Sequence, residues 1–301
     1  PYTTLFRSGN GVFSAQNLFS SLLARSHFDM QSMVRSFDLL YEHEFLPSVN
    51  AELRWTSNRI WGNDDVPFRL QDGTLQESIA VNKIHTQLRF SKDERVNRNY
   101  FLKTYMFTKY PVLTLNLDYA IKGITRNDVR YLRTVANLNW ILPSNAFGFA
   151  KMSLEGGAIW GSVPYPMLKL HEGNQTFFMD RTAFACMDYY EFASDRWFTF
   201  YYEHNFNGFF LGKIPLVKKL DLREVATVRG AWGTISPDNR ENAPYVLPAV
   251  TGSLEIPYVE AGIGISNIFR ILRVDAFWRL THRREESKKN FTVNIGIDVD
   301  F

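Results

Sequence analysis

FTVNIGIDVDF, residues Phe291 to Phe301, is the stretch that decides the fold. Phe291, Val293, Ile295, Ile297, Val299 and Phe301 fall on one side of an extended chain. Thr292, Asn294, Gly296, Asp298 and Asp300 fall on the other, because successive side chains of a strand point to opposite faces. One face suits lipid and the other suits water. The alternation ends on an apolar residue, Phe301, where an ordinary soluble domain frays into a polar tail. A spanning β-strand of a membrane barrel is the expectation.

Composition agrees with that expectation. The 25 Phe, 14 Tyr and 7 Trp exceed what a core of 301 residues takes up, and interfacial girdles at two membrane surfaces would use them. No run approaches ~18 consecutive apolar residues, so a helical span is excluded, whereas a barrel strand needs only about 9–11 alternating residues. The net charge of +3 is small and its basic residues are dispersed, which argues against a nucleic-acid partner. The single Cys186 excludes an intrachain disulfide and a cysteine zinc site. Residues 1–8, PYTTLFRS, match the translation of a common short-read sequencing adapter and are set aside. Residues 9–301 are then expected to be the C-terminal part of one barrel domain, truncated at its N-terminus.

Reading backwards from Phe291, the same pattern recurs between turn signals. Leu272, Val274, Ala276, Trp278 and Leu280 alternate with Arg273, Asp275, Phe277, Arg279 and Thr281. Val259, Ala261, Ile263 and Ile265 alternate with Glu260, Gly262, Gly264 and Ser266. Similar segments lie at 132–140, 113–121, 84–90 and 49–55, with less regular ones near 11–24, 31–43, 98–109, 145–160, 195–207 and 221–235. The count is about thirteen antiparallel strands. Bacterial barrels have even numbers, so strands are missing from a complete barrel of about sixteen.

An arginine facing lipid at the midplane costs roughly 2–4 kcal/mol. Arg223, Arg229, Glu260, Asp275 and Arg279 are therefore expected to line the lumen wall. The short connection 266–270 reads as a periplasmic turn, and the long polar ones, 161–194 and 236–255, as external loops on one common side. The link 208–220 is compatible with a short amphipathic helix at the interface or with a buried turn.

Within the loop 161–194, Gly173 and Asn174 read as a tight turn tolerating positive φ. Glu191, Asp195 and Arg196 form a charged cluster. Two arrangements fit: a solvated external loop with a local ion pair, or a loop folded back to pair with the wall charges, since buried charges need partners. Glu203 and His204 form a polar knot that a strand end explains more simply than a functional pair. The charge run His282 to Lys289 reads as an exposed hairpin tip. The six His are scattered with no HExxH, and no GxSxG elbow occurs, so no enzyme activity, metal or cofactor is expected.

The segments Met187 to Val225 and Pro257 to His282 resemble a Gram-negative outer-membrane family of unknown function, whose members carry an N-terminal carboxypeptidase regulatory-like domain before a large β-barrel. The order of elements is also similar to the Omp85 superfamily, where a long external loop with an Arg-Gly motif enters the lumen ahead of the last strands. Here His171-Glu172-Gly173-Asn174 stands where that superfamily has a Gly-Gly turn, and the Arg229-Gly230 pair lies on a strand. The resemblance implies an integral outer-membrane protein, non-enzymatic, serving envelope assembly, export or transport; a solute or glycan channel and a barrel-wall lipid hydrolase are the alternatives. It implies outer-membrane lipid, periplasmic or surface proteins, and the barrel assembly machinery, reading the last strand with Phe301 as signal, as partners.

Overall fold

The computed structural model describes residues 2–6, 32–46, 48–94, 96–99, 102–105, 108–123, 127–248, 251–285 and 290–297. In chain order the strands are β1 (Tyr2–Phe6), β2 (Ser32–Leu46), β3 (Val49–Trp61), β4 (Phe68–Arg69), β5 (Leu75–Gln76), β6 (Ser78–Phe90), β7 (Val96–Asn99), β8 (Leu102–Tyr105), β9 (Val112–Ala120), β10 (Tyr131–Pro143), β11 (Phe149–Trp160), β12 (Lys169–Leu170), β13 (Ala193–Ser194), β14 (Arg196–Asn205), β15 (Arg223–Thr234), β16 (Tyr258–Ile268), β17 (Leu272–Arg279) and β18 (Phe291–Ile297). Among the described residues, twelve of these form one antiparallel meander in the order β1-β2-β3-β6-β9-β10-β11-β14-β15-β16-β17-β18. The fold is all-β, one large antiparallel sheet of the barrel type, in which β1 and β18 are not paired with each other among the described residues. The strand expected near 11–24 and the terminal Phe301 lie outside the described residues. The stretch set aside as adapter sequence includes β1, which pairs with β2.

The alternation sorts the side chains as polarity requires. On β17, Arg273, Asp275, Phe277 and Arg279 are buried, whereas Trp278 faces out. Glu260 is buried on β16 while Ile263 and Ile265 are exposed. On β9, Leu113, Leu115, Leu117 and Tyr119 are exposed and Asp118 is buried. At about 3.3 Å per residue and a tilt of about 40°, the 12 residues of β11 rise roughly 30 Å, enough to cross an apolar band of about 25 Å.

One expected strand is not in the sheet. Residues 96–99 and 102–105 do not join it; as β7 and β8 they form their own small hairpin, and β6 pairs directly with β9. The chain turns back after four residues, too few for a span. The ends of this link are pinned by the Arg89–Glu94 pair at 2.5 Å and by Thr108 Oγ1 donating to the Lys92 carbonyl at 2.6 Å. Removing that strand reverses the sense of everything upstream. The connection 62–77 then shares one end of the sheet with 161–195 and 235–257, which do lie on a common side, as their spacing predicts.

We call this the loop end. Tyr165 Oη donates to the Val66 carbonyl at 2.5 Å, Tyr245 Oη to Gln76 Oε1 at 2.6 Å, and Gln71 Nε2 to the Ala243 carbonyl at 3.0 Å. Val66, Phe68, Tyr165, Leu168, Tyr190 and Tyr245 pack as one apolar cluster beneath these bonds. At the turn end, the link 206–222 forms two 3-10 turns, Leu211–Lys213 and Val217–Leu220. It is neither a regular helix nor buried: Phe210, Ile214, Leu216 and Leu220 are exposed. Pro215 between the turns prevents a continuous helix.

Outward aromatics gather at both ends. Trp160, Phe198, Trp232, Trp278 and Phe291 are exposed at the loop end, and Phe45, Phe90, Phe147, Phe210 and Phe269 at the turn end. The apolar band between them generates a prediction. Val228→Arg, outward at the middle of β15, should destabilise the protein in bilayers by about 2–4 kcal/mol, read by urea unfolding in liposomes. An unchanged midpoint would contradict a lipid-facing position.

Candidate functional site: the loop on the inward face

The loop 161–195 is not a solvated external loop. His171, Asn174, Thr176, Phe184, Met187, Tyr190 and Phe192 are all buried, and the loop lies across the inward faces of β14 to β18. Backbone geometry fits it there. Gly173 has a negative φ, contrary to the turn expected at Gly173-Asn174. Its role is close approach: a Cβ at this position would sit 2.5 Å from the carbonyl oxygens of Met187 and Asp188. Asn174 holds the next turn, with Oδ1 accepting from Thr176 N at 2.9 Å and Nδ2 donating to the Phe178 carbonyl at 3.0 Å.

Three groups of wall charges meet this loop or one another. Glu260 accepts from the backbone N–H groups of Ala185 at 2.7 Å and Cys186 at 3.0 Å, and from Tyr258 Oη at 3.0 Å. Arg229 lies 3.6 Å from Glu260, donates to the Ala183 carbonyl and stacks on Phe277. Arg279 pairs with Glu191 at 2.7 Å and stacks on Tyr258, while Arg284 from the expected hairpin tip reaches Glu191 at 2.5 Å and Asp188 at 2.9 Å. Asp275 is held within the wall by Arg273 through two bonds of 2.8 Å, and Arg273 also pairs with Glu203 at 2.9 Å.

The strands make room for this. Gly262 faces inward on β16, where a Cβ would meet the Phe277 ring at 2.5 Å. The notch lets Phe277 lie flat under Arg229.

The other expected positions separate. Asp195 and Arg196 do not form an ion pair: consecutive residues at the start of a strand point to opposite faces. Asp195 is buried and accepts from Ser236 N at 2.8 Å and Asn239 Nδ2 at 3.0 Å, whereas Arg196 is exposed. Arg223 lies at the turn end, opposite Ser266 and away from the loop. Glu203 and His204 likewise part: Glu203 turns to Arg273, and His204 bonds Tyr202 Oη and the Phe147 carbonyl.

Sequence reasoning missed a second buried network at the loop's root. Lys169 Nζ pairs with Glu155 at 2.9 Å and Glu172 at 2.7 Å. Beside it His171 contacts Ser194 Oγ at 3.0 Å, and its Nδ1 has no hydrogen-bond partner. Burial, reinforced by the Lys169 charge and opposed by Glu155, pushes the His171 pKa down to about 3. A partly open pocket of about 260 Å³ on the inward face is lined by residues that include Lys151, Ser153, Arg181, Tyr201, Glu203 and Arg229.

Glu191→Gln removes the carboxylate facing the buried Arg279, and breaking such a pair costs about 3–5 kcal/mol. Faster protease cleavage within 161–195 is the expected readout; an unchanged rate would mean that the ion pair does not hold the loop. The loop should also loosen in acid. His171 binds its proton more weakly folded than unfolded, so its packing is complete above about pH 6.5 and is lost progressively towards about pH 3. Burial raises the Glu191 pKa, but the Arg279 hydrogen bond and both arginine charges hold it below the usual range, so its contribution falls away only below about pH 4.5. His171→Leu should flatten the cleavage rate between about pH 4.5 and 6.5 and leave the lower limb.

The family model described as "Family of unknown function (DUF5686) C-terminal domain" matches residues 48–235, from the start of β3 through the loop and β15. No curated protein matches the sequence at a significant level. Among solved structures, the fold is similar to that of BamA from Haemophilus ducreyi lacking POTRA domains 1-3, with a TM-score of 0.51 and 12% identity over 88% of this chain and 55% of that one. The chain spans about half the length of that structure, and at this identity the likeness is one of fold alone. With well over half of its residues inside the family model, the chain belongs to the DUF5686 C-terminal-domain family of unknown function.

Proposed function

We propose that this chain is an outer-membrane β-barrel with a plugged lumen, acting without chemistry of its own in envelope assembly, export or transport. The observation that carries the reading is the loop 161–195, held inside the sheet by Glu191–Arg279 and by the Ala185 and Cys186 N–H groups on Glu260. A loop fixed across the inward faces by buried charges narrows any passage there, which favours a plugged barrel over a wide solute pore. The resemblance to barrels that follow a carboxypeptidase regulatory-like domain fits a role in which that domain supplies periplasmic contacts, and the likeness of fold to BamA fits an outer-membrane location.

A gated conduit is the second reading, favoured by the pocket on the inward face and its mixed lining of Lys151, Arg181 and Glu203. A wall hydrolase is less well supported. Ser194 and His171 do meet, but both are fully buried, and among the described residues the imidazole Nδ1 accepts or donates no hydrogen bond that would orient it as a base.

Planar-bilayer recording separates the first two. The plugged reading expects little steady conductance from the wild-type protein and a rise of about tenfold or more when Glu191→Gln and Glu260→Gln together release the loop. Large, steady wild-type openings would favour the conduit instead.

A further inference from the structure

We propose that Arg35, Arg59 and Trp61 form a site for the phosphate group of an anionic membrane lipid, on the outward face of the sheet at its loop end. The proposal rests on the membrane-spanning reading above. Arg35 and Arg59 are direct cross-strand partners on β2 and β3. Their neighbours Val34 and Ile60 are buried on the inward face, so both guanidinium groups stand outward, and both residues are exposed. Each lies over the Trp61 ring, at 5.4 Å and 5.5 Å, and Arg59 Nε donates to Ser78 Oγ at 3.0 Å.

Like charges directly opposite each other destabilise a sheet. On the inward face Arg54, Arg89, Arg229, Arg273 and Arg279 each have a carboxylate; among the described residues no ion pair is recorded for Arg35 or Arg59. The indole face attracts both cations but carries no net charge. Two planar donor forks brought to one indole ring are suited to the oxygens of a phosphate, which accepts bidentate bonds from arginine.

Depth identifies the source of that phosphate. Trp61 ends β3 as Trp160 ends β11, and Trp232 and Trp278 stand near the same ends of β15 and β17, so the arginine pair sits within the aromatic belt that marks the headgroup level. Directly below it, Phe37 and Trp55 meet edge to face at 5.8 Å, with Phe37 and Leu39 exposed. A lipid satisfies both parts at once, its phosphate on the arginines and its acyl chains on Phe37 and Leu39. A soluble anion satisfies only the first.

The test uses the full chain in phosphatidylcholine nanodiscs doped with diphosphorylated lipid A or its dephosphorylated form, with retained lipid counted by native mass spectrometry. Wild type should retain the phosphorylated form about tenfold over the dephosphorylated one. Arg35→Gln with Arg59→Gln should abolish the preference, and Arg35→Lys with Arg59→Lys should restore part of it. Equal retention of the two lipids by wild type, or an undiminished preference in the glutamine variant, would overturn the site. Displacement of lipid A by millimolar inorganic phosphate would assign the pair to a soluble anion and overturn the lipid assignment. Quenching by brominated lipid of Trp55, taken by difference against Trp55→Phe, tells the two levels apart. An unquenched Trp55 would refute the membrane-spanning reading itself, whereas a quenched Trp55 without phosphate preference refutes only the lipid site.

Discussion

A charge that a strand turns away from lipid has to be answered inside the barrel. The period of two leaves the wall no freedom on this point: once Trp278 and Ile263 face outward, Arg279 and Glu260 must face inward. The interior is too dry to leave them alone, because an unpartnered buried charge costs several kcal/mol more than a matched one. The loop 161–195 supplies the answer in two currencies. Glu191 brings a carboxylate to Arg279, and the stretch 183–186 brings backbone groups, a carbonyl for Arg229 and two N–H donors for Glu260.

That division explains how the loop finds its place. Replacing a buried ion pair with apolar residues can be nearly neutral, but removing one partner is strongly destabilising. Such contacts therefore discriminate against wrong placements more than they add stability. A shift of the loop by one residue along β16 would present Glu260 with different backbone groups and leave Arg279 facing no acid. The asymmetry sets register, while the apolar cluster of Phe184, Met187, Phe192, Leu254 and Tyr258 provides the non-directional attraction.

Most of the wall was legible in the sequence, because lipid on one side and a polar lumen on the other enforce an alternation that single residues display. The inward set Arg273, Asp275, Phe277 and Arg279 follows from β17 alone. Legibility failed where that enforcement stops. The stretch 98–109 alternates in sequence over short pieces, and only pairing partners reveal that β7 and β8 pair with each other while β6 passes on to β9. Gly173 was recognisable as special but not for the right reason, since close backbone approach and positive φ both select glycine. The Lys169, Glu155 and His171 network carries no local signal at all: it joins a strand to a loop, residues that only the tertiary fold brings together. Asp195 and Arg196 adjoin in sequence, and adjacency in a strand is the one spacing that keeps two side chains apart.

The loop also changes what the last strand is. Met179 N donates to the Ile295 carbonyl at 2.8 Å, and Ile295 N donates to the Phe177 carbonyl at 2.7 Å, so the loop pairs with β18 in parallel on the side away from β17. Asn294, on the inward face of the same strand, donates to the Thr176 carbonyl at 3.0 Å. At its other end the loop is tied to the start of β14, where Asp195 joins Ser236 and Asn239. One segment therefore bridges β14 and β18 across the inner faces of β15, β16 and β17. Withdrawing it would break backbone bonds at β18 as well as ion pairs at Arg279 and Glu260. Covering the inward charges and bracing β18 are consequently a single mechanical act of one segment.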